Sequence, residues 1–156
     1  MVGTLTLLDV VAAVPDPELP MVTIGDLGIL RDVLVDEGRV VVTITPTYSG
    51  CPAMDAIRSD IRRALAGAGC RDVEVRTQLS PAWTTDWMSE TARRKLADAG
   101  IAPPQAGGRV TLRLSVRCPQ CGSPDTEEIS RFGSASCKAL WRCRACAEPF
   151  DHFKAL

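Results

Sequence analysis

The sequence predicts an α+β fold, in which a small α/β sandwich is followed by a short cysteine-rich mini-domain. Over most of the chain, helical and alternating apolar patterns occur in the order helix, strand, strand, helix, strand, helix. A segment rich in proline and glycine, 103–108, then indicates a linker or a sharp corner. Two Cys-x-x-Cys pairs lie beyond that segment. We therefore predict an α+β domain over residues 1–103 and a mini-domain over residues 109–156.

Proline and glycine delimit the first half of the predicted sandwich. Residues 5–14 carry apolar side chains at helical spacing, and the helix should end where two prolines disfavour its continuation. A loop follows over residues 18–28. Residues 29–35 and 39–45 are rich in β-branched side chains, and the Asp-Glu-Gly between them is a natural hairpin turn. These two segments therefore predict an antiparallel strand pair.

A glycine–proline turn around residues 48–52 introduces the second half of the sandwich. The helix after that turn should bury Met54, Ile57, Ile61 and Leu65, which recur at helical spacing. The remaining predicted elements are a strand over 73–79, a helix over 86–99, a strand over 110–116 and two short β-prone stretches over 126–132 and 139–142.

The overall composition restricts the class of protein. Of 156 residues, 46% are hydrophobic and 24% charged, and the 18 basic and 19 acidic side chains leave a net charge of -1. That balance predicts neither nucleic acid nor an anionic membrane as a partner. The first residues lack the features of a signal peptide, and no stretch approaches the length of a membrane span. We therefore expect a cytoplasmic protein, with its seven cysteines present as thiols or metal ligands.

The tail carries the spacing of a four-cysteine metal site. Cys118 and Cys121 form one Cys-x-x-Cys turn, and Cys143 and Cys146 form a second. Two such turns facing each other supply four thiolates in a tetrahedron, which is the closed geometry of structural zinc. Two disulfides, mononuclear iron or an iron–sulfur cluster are the alternatives. So small a tail cannot fold on apolar burial alone, and bound metal should supply much of its stability.

Two further residues of the tail have open roles. Cys137 is a fifth thiol that could substitute in a cluster, although a small buried hydrophobe is the commoner role for such a residue. His152 is the only histidine and could be a base, a fifth ligand or a rim residue of the mini-domain. Because no other histidine exists, the sandwich cannot assemble a Ser-His or Cys-His catalytic pair or a self-contained di-iron site.

Cys51 is the candidate functional thiol. The sequence places it at the N-cap of the second helix, with Pro52 as the first helical residue. A thiolate there accepts hydrogen bonds from helix amides and lies at the positive end of the dipole, so we expect a lowered pKa. Asp16, Glu18 and Asp26 are close by in a loop, and carboxylates with a thiolate are suitable ligands for transient iron. A structural cysteine in a solvated acidic loop is the alternative.

Several motifs resemble a known family. Those near the N-terminus are Asp-Pro-Glu-Leu-Pro at 16–20, Ile-Gly-Asp-Leu-Gly at 24–28 and Thr-Pro-Thr-Tyr-Ser-Gly-Cys-Pro at 45–52. They resemble the domain shared by cytosolic iron–sulfur assembly factors and SufT proteins. Later motifs, Ser-Pro-Ala-Trp-Thr-Thr-Asp-Trp at 80–87, Phe-Gly-Ser at 132–134 and Cys-Lys-Ala-Leu at 137–140, resemble the PaaD family, whose members are associated with phenylacetyl-CoA epoxidase.

The resemblance implies an accessory role beside a multicomponent oxygenase that epoxidises the ring of phenylacetyl-CoA. The implied partners are its di-iron catalytic subunit or its iron–sulfur reductase subunit, and a homodimer is left open. The implied functional thiol is Cys51, which would hold iron or an iron–sulfur cluster transiently, and Asp16 and Glu18 belong to the family's acidic motif.

Three functions are therefore compared. In the first, Cys51 and nearby carboxylates hold iron or a cluster briefly and pass it to a client. In the second, the chain is a structural scaffold that binds the oxygenase through its zinc ribbon, and Cys51 is inert. In the third, the chain is an enzyme with Cys51 as nucleophile. The third is the weakest because the sandwich offers no histidine base and no nucleotide-binding motif.

Overall fold

The computed structural model describes residues 3–48, 50–104 and 116–155. The chain divides into two compact units, Met1–Ser89 and Glu90–Leu156. Most of the predicted linker and all but the last residue of the predicted strand over 110–116 lie outside the described residues.

The first unit contains two helices and a three-stranded sheet. Its elements are α1 (Thr4–Ala12), β1 (Leu30–Asp36), β2 (Arg39–Ile44), α2 (Ala53–Gly67) and β3 (Val73–Thr77). The strand order is β1-β2-β3, with β1 antiparallel and β3 parallel to β2. A parallel pair needs a crossover, and α2 provides it between β2 and β3. The predicted element order of this unit is confirmed.

Local chemistry explains the hairpin and the buried face of α2. Glu37 and Gly38 both have positive φ, 46° and 86°, which a two-residue turn of type I′ requires. On α2, the buried side chains include all four that the helical spacing predicted, Met54, Ile57, Ile61 and Leu65. The core of the first unit therefore follows from sequence periodicity.

The predicted helix over 86–99 is wrong at its start. A 3-10 turn occupies Thr85–Trp87, and α3 begins only at Glu90 and ends at Asp98. Met88 between them is extended, with φ -70° and ψ 131°, and the Ser89 amide donates to the Asp26 carbonyl at 2.9 Å. A hydrogen bond to a distant loop thus replaces the first turn of the helix.

The second unit contains α3 and a four-stranded sheet. Its strands are β4 (Ile101–Ala102), β5 (Thr126–Ser130), β6 (Lys138–Cys143) and β7 (Pro149–Phe153), in the order β4-β7-β6-β5. β4 runs parallel to β7, and the other pairs are antiparallel. The two predicted β-prone stretches correspond to β5 and β6, whereas β4 and β7 were not predicted. The predicted first domain, 1–103, includes α3 and β4, which the structure groups with the second unit.

Candidate functional site

The loop between β2 and α2 carries Cys51. Gly50 before it has φ +81°, and Pro52 after it is the N-cap residue of α2, so Cys51 lies one residue further from the helix than predicted. The Cys51 sulfur nevertheless accepts a hydrogen bond from the Ala53 amide. The Cys51 carbonyl accepts from the Met54 amide at 3.2 Å. The first turn of the helix therefore holds both polar ends of this residue.

A second loop places two carboxylates beside this thiol. Asp16 is only 7% exposed, and its Oδ1 atom accepts from the amides of Glu18 and Leu19 at 2.8 and 2.9 Å. These bonds close a turn that holds Glu18 half-buried. The charges of both Asp16 and Glu18 act on Cys51. The structure therefore brings together three of the four residues that the sequence placed at this site.

Asp26, the fourth predicted residue, has described contacts within its own loop. Its Oδ2 atom accepts from the Thr23 amide at 3.2 Å, while the Thr23 hydroxyl accepts from the Asp26 amide at 3.0 Å. This reciprocal pair resembles the capping box that begins a helix. The described contacts of Asp26 therefore order the loop around Gly25 and Gly28.

The prediction that the pKa of Cys51 is lowered is wrong. Burial raises the pKa of this thiol, and the charges of Glu18 and Asp16 raise it further, although the Ala53 amide and the Tyr48 hydroxyl lower it. Without a cation, the proton therefore stays on the sulfur at neutral pH. A bound cation would neutralise the carboxylates and favour the thiolate. Sequence reasoning missed Tyr48, the only tyrosine, although its hydroxyl lies in the same short loop.

We expect iodoacetamide to alkylate Cys51 with a pH midpoint above that of an ordinary thiol, because only the thiolate reacts. Glu18→Gln removes one of the opposing charges and should move the midpoint to lower pH, whereas Glu18→Asp keeps the charge and serves as the control. Mass spectrometry of the Cys51 peptide over a pH series measures both. An unchanged profile in Glu18→Gln would contradict this electrostatic account.

The second unit forms the four-cysteine cluster that the spacing predicted. The sulfurs of Cys118, Cys121, Cys143 and Cys146 all lie within 4.8 Å of one another. The Cys118–Cys146 pair is separated by 3.8 Å and the Cys121–Cys143 pair by 3.5 Å, far above the length of a disulfide. Four sulfurs at about 2.3 Å from one ion form a tetrahedron with edges of about 3.8 Å. The cluster therefore fits zinc binding.

Backbone amides around the cluster point at the sulfurs. The Gln120 amide donates to the Cys118 sulfur at 3.4 Å, and the Cys146 amide donates to the Cys143 sulfur at 3.5 Å. The bond from Cys146 lowers the pKa of Cys143 to about 7. The Glu148 amide acts in the same direction on Cys146, but burial and the neighbouring thiols raise the pKa of Cys146 to about 12. A central cation would remove this conflict between crowded thiols.

The residues after the two knuckles share one backbone conformation. Gly122 follows Cys121 with φ 74°, and Ala147 follows Cys146 with φ 65°. The sequence departs from glycine at the second position, yet the chain still adopts the left-handed turn there. The turn geometry is therefore imposed by the cluster and its amide bonds rather than by local preference.

Cys137 and His152 do not belong to the cluster of metal-ligating groups in the described residues. Cys137 is buried, as its hydrophobic interpretation predicted. His152 lies in β7, where its Nδ1 atom is 3.1 Å from the Ala102 carbonyl and its ring meets Trp141 edge-on at 6.0 Å. Burial lowers the pKa of His152, which keeps the ring neutral.

Comparison with known proteins identifies both units. A family model described as an iron–sulfur cluster assembly protein matches residues 6–77, and one described as the PaaD zinc beta ribbon domain matches residues 102–154. The fold and site thus define an iron–sulfur-assembly-type domain joined to a zinc ribbon. An Escherichia coli (strain K12) protein, provisionally named as the fourth component of 1,2-phenylacetyl-CoA epoxidase, is 50% identical over 145 residues, 92% of this chain and 87% of that protein. The chain belongs to this family, the PaaD proteins.

Two other relatives match the first part of the chain. The Fe-S protein maturation auxiliary factor SufT of Staphylococcus aureus (strain USA300) is 40% identical over 80 residues, 50% of this chain and 90% of SufT. A crystal structure of a DUF59 domain from Bacillus anthracis has a TM-score of 0.55 at 35% identity and covers 60% of this chain and 90% of that domain. The resemblance to the SufT and PaaD proteins that the motifs predicted is confirmed.

No helix in the part of the chain that the structure describes is long and apolar enough to cross a membrane.

Proposed function

We propose that this chain is a cytoplasmic accessory protein of the phenylacetyl-CoA ring epoxidase in aerobic phenylacetate catabolism. Its role is to assemble or mature the di-iron or iron–sulfur centre of that oxygenase rather than to catalyse epoxidation. The observation that carries the proposal is the half-buried thiol of Cys51 beside the carboxylates of Asp16 and Glu18. That site lies in a domain whose relatives are named as iron–sulfur maturation factors.

The chemistry of this site suits a cargo that is held briefly. A thiolate and hard carboxylate oxygens are ligands that iron accepts, but they form an incomplete set that a client can displace. Because the free site keeps its thiol protonated, loading with iron releases a proton and unloading recovers it. The proton therefore links occupancy of the site to the charge of Cys51.

The zinc ribbon has a structural role in this proposal. Cys118, Cys121, Cys143 and Cys146 hold one zinc ion, which supplies the folding free energy that so small a sheet lacks. The match to a zinc beta ribbon model supports zinc over iron at this position.

The decisive test is the iron content of the client oxygenase made beside Cys51→Ala. We expect the variant to be stable and zinc-loaded, while client iron falls at least about tenfold relative to the wild type. Cys70→Ala is the matched control, because Cys70 is also a half-buried cysteine of the first unit. Metal analysis of the chain purified with and without oxygen would add labile iron in the anaerobic sample only.

A fully metallated client beside Cys51→Ala would overturn the maturation role. The alternative would then stand, in which the chain is a structural or scaffold subunit that binds the oxygenase through its zinc ribbon. One observation favours a binding role for the ribbon, namely the strongly exposed side chain of Phe132.

A further inference from the structure

The loop between β5 and β6 displays an aromatic ring to solvent. Phe132 is 73% exposed, the largest exposed fraction among the large hydrophobic side chains of the described residues. Ile129, at the end of β5, is 52% exposed and precedes it by three positions. Single exposed hydrophobic residues are ordinary, so the ring is informative only if the structure holds it in place.

Hydrogen bonds fix the backbone on both sides of Phe132. The Ser130 hydroxyl donates to the Phe132 carbonyl at 3.0 Å and accepts from the Phe132 amide at 3.2 Å. The Gly133 amide donates to the Lys138 carbonyl at 2.7 Å. The Lys154 ammonium donates to the Arg131 carbonyl at 3.0 Å. The loop is therefore preorganised, which reduces the entropy lost when the ring is buried by a partner.

Asp151 anchors this loop from below. Its Oδ2 atom accepts from the Ser134 hydroxyl at 3.1 Å and lies 3.9 Å from the ammonium of Lys138, a buried lysine. A Cβ atom on Gly133 would lie 2.7 Å from Asp151 Oδ1, so only glycine allows the loop to approach this closely. An ion pair with little solvent access is thus spent on holding an exposed loop.

Two cations flank the ring without a carboxylate partner in the described part of the chain. The Lys154 ammonium lies 4.9 Å from the centre of the Phe132 ring, and Arg131 is its sequence neighbour. Glu127 on the same strand is already engaged by Arg142 and Arg144. We refer to Ile129, Arg131, Phe132 and Lys154 together as the Phe132 patch; it combines apolar surface with unbalanced positive charge.

We propose that the Phe132 patch docks into an apolar pocket edged by carboxylates on the client protein. That the client is an epoxidase subunit rests on the proposed function. Strand addition is disfavoured even though β5 is an edge strand, because a bulge between Glu128 and Ser130 interrupts its register. The chain's net charge of -1 favours a protein over a nucleic acid. Aromatic and arginine side chains of this kind are the usual anchors of protein interfaces.

Binding of the zinc-loaded full-length chain to purified epoxidase subunits tests this proposal by calorimetry. Phe132→Ala should weaken binding about thirtyfold, as expected when a central aromatic anchor is lost. Phe132→Tyr should bind nearly as the wild type does. Arg131→Glu should weaken binding by reversing a rim charge, and added salt should weaken wild-type binding more than that of Arg131→Glu. Leu79→Ala is the matched control, since Leu79 is 60% exposed but belongs to the first unit.

Several results would overturn the docking role. Equal affinities for the wild type and Phe132→Ala would do so, as would absence of binding by the wild type. A lower melting temperature of Phe132→Ala with unchanged affinity would mean that the ring is covered by its own chain. Loss of a homodimer in sedimentation velocity with unchanged client affinity would assign the patch to a second copy. The maturation role is judged separately, because Cys51→Ala should keep full client affinity.

Discussion

Cys143→Ala should release zinc and unfold the sheet of the second unit while the first unit stays folded. Cys143 is fully buried at the end of β6 and packs in one apolar cluster with Cys118, Trp141 and Phe150. Structural zinc contributes about 10–16 kcal/mol to small domains of this kind, and a closed site that loses one of four ligands loses much of that contribution. Zinc per chain should fall from about one to near zero, and the near-ultraviolet dichroism of Trp141 should collapse.

Cys137→Ala is the matched control for this result. Cys137 is also a buried cysteine of the second unit but lies outside the metal cluster. Its replacement should retain one zinc ion and cost only about 1 kcal/mol, the usual effect of a small core truncation. If both variants lost zinc equally, or if Cys143→Ala kept its zinc and its sheet, the four-cysteine assignment would be wrong.

Gly28→Ala should destabilise the first unit by about 3 kcal/mol or more. Gly28 has φ +74°, and an added Cβ would lie 2.6 Å from the Trp87 carbonyl oxygen and 2.7 Å from the Trp87 Cβ. Both are atoms that cannot move without moving the 3-10 turn and the Trp87 ring. That ring lies under the Arg31 guanidinium, 3.8 Å from its central carbon. Denaturant-dependent hydrogen exchange of peptides from α2 and β2 measures the stability of this unit.

Two other glycines separate the causes of this effect. Gly38 has φ +86° but no atom near an added Cβ, so Gly38→Ala should show only the left-handed backbone cost of about 1 kcal/mol. Gly25 lacks a positive φ, but its Cβ would lie 2.8 Å from the Cβ and carbonyl oxygen of Ala12. Gly25→Ala therefore reports the steric clash alone. Equal losses in Gly28→Ala and Gly38→Ala would show that Trp87 imposes no clash.

The elements predicted correctly are those whose signals are local. The turn at Glu37 and Gly38 joins two β-branched strands, and α2 announces its buried face by spacing alone. The elements that were missed depend on distant partners. β4 is only two residues long and exists because Ile101 and Ala102 pair with Asp151 and His152, about fifty positions later in the chain.

The candidate site divides in the same way. Sequence motifs identified Cys51, Asp16 and Glu18, and the structure places both carboxylates where they act on the thiol. The direction of the pKa shift could not be predicted, because the helix terminus is visible in the sequence while burial is not. Tyr48 was missed because a hydrogen bond to sulfur depends on how the loop folds back.

The sequence by itself determined the two-part architecture, the identity of the four clustered cysteines and the thiol that leads into α2. Each of these depends on residue type and short spacing, which act within a few positions along the chain. Only the tertiary structure decided that α3 and β4 join the ribbon unit, that Gly28 must accommodate Trp87, and that Cys51 is held protonated. Steric exclusion, desolvation and charge act through space, so their outcome depends on which distant residues the fold brings together.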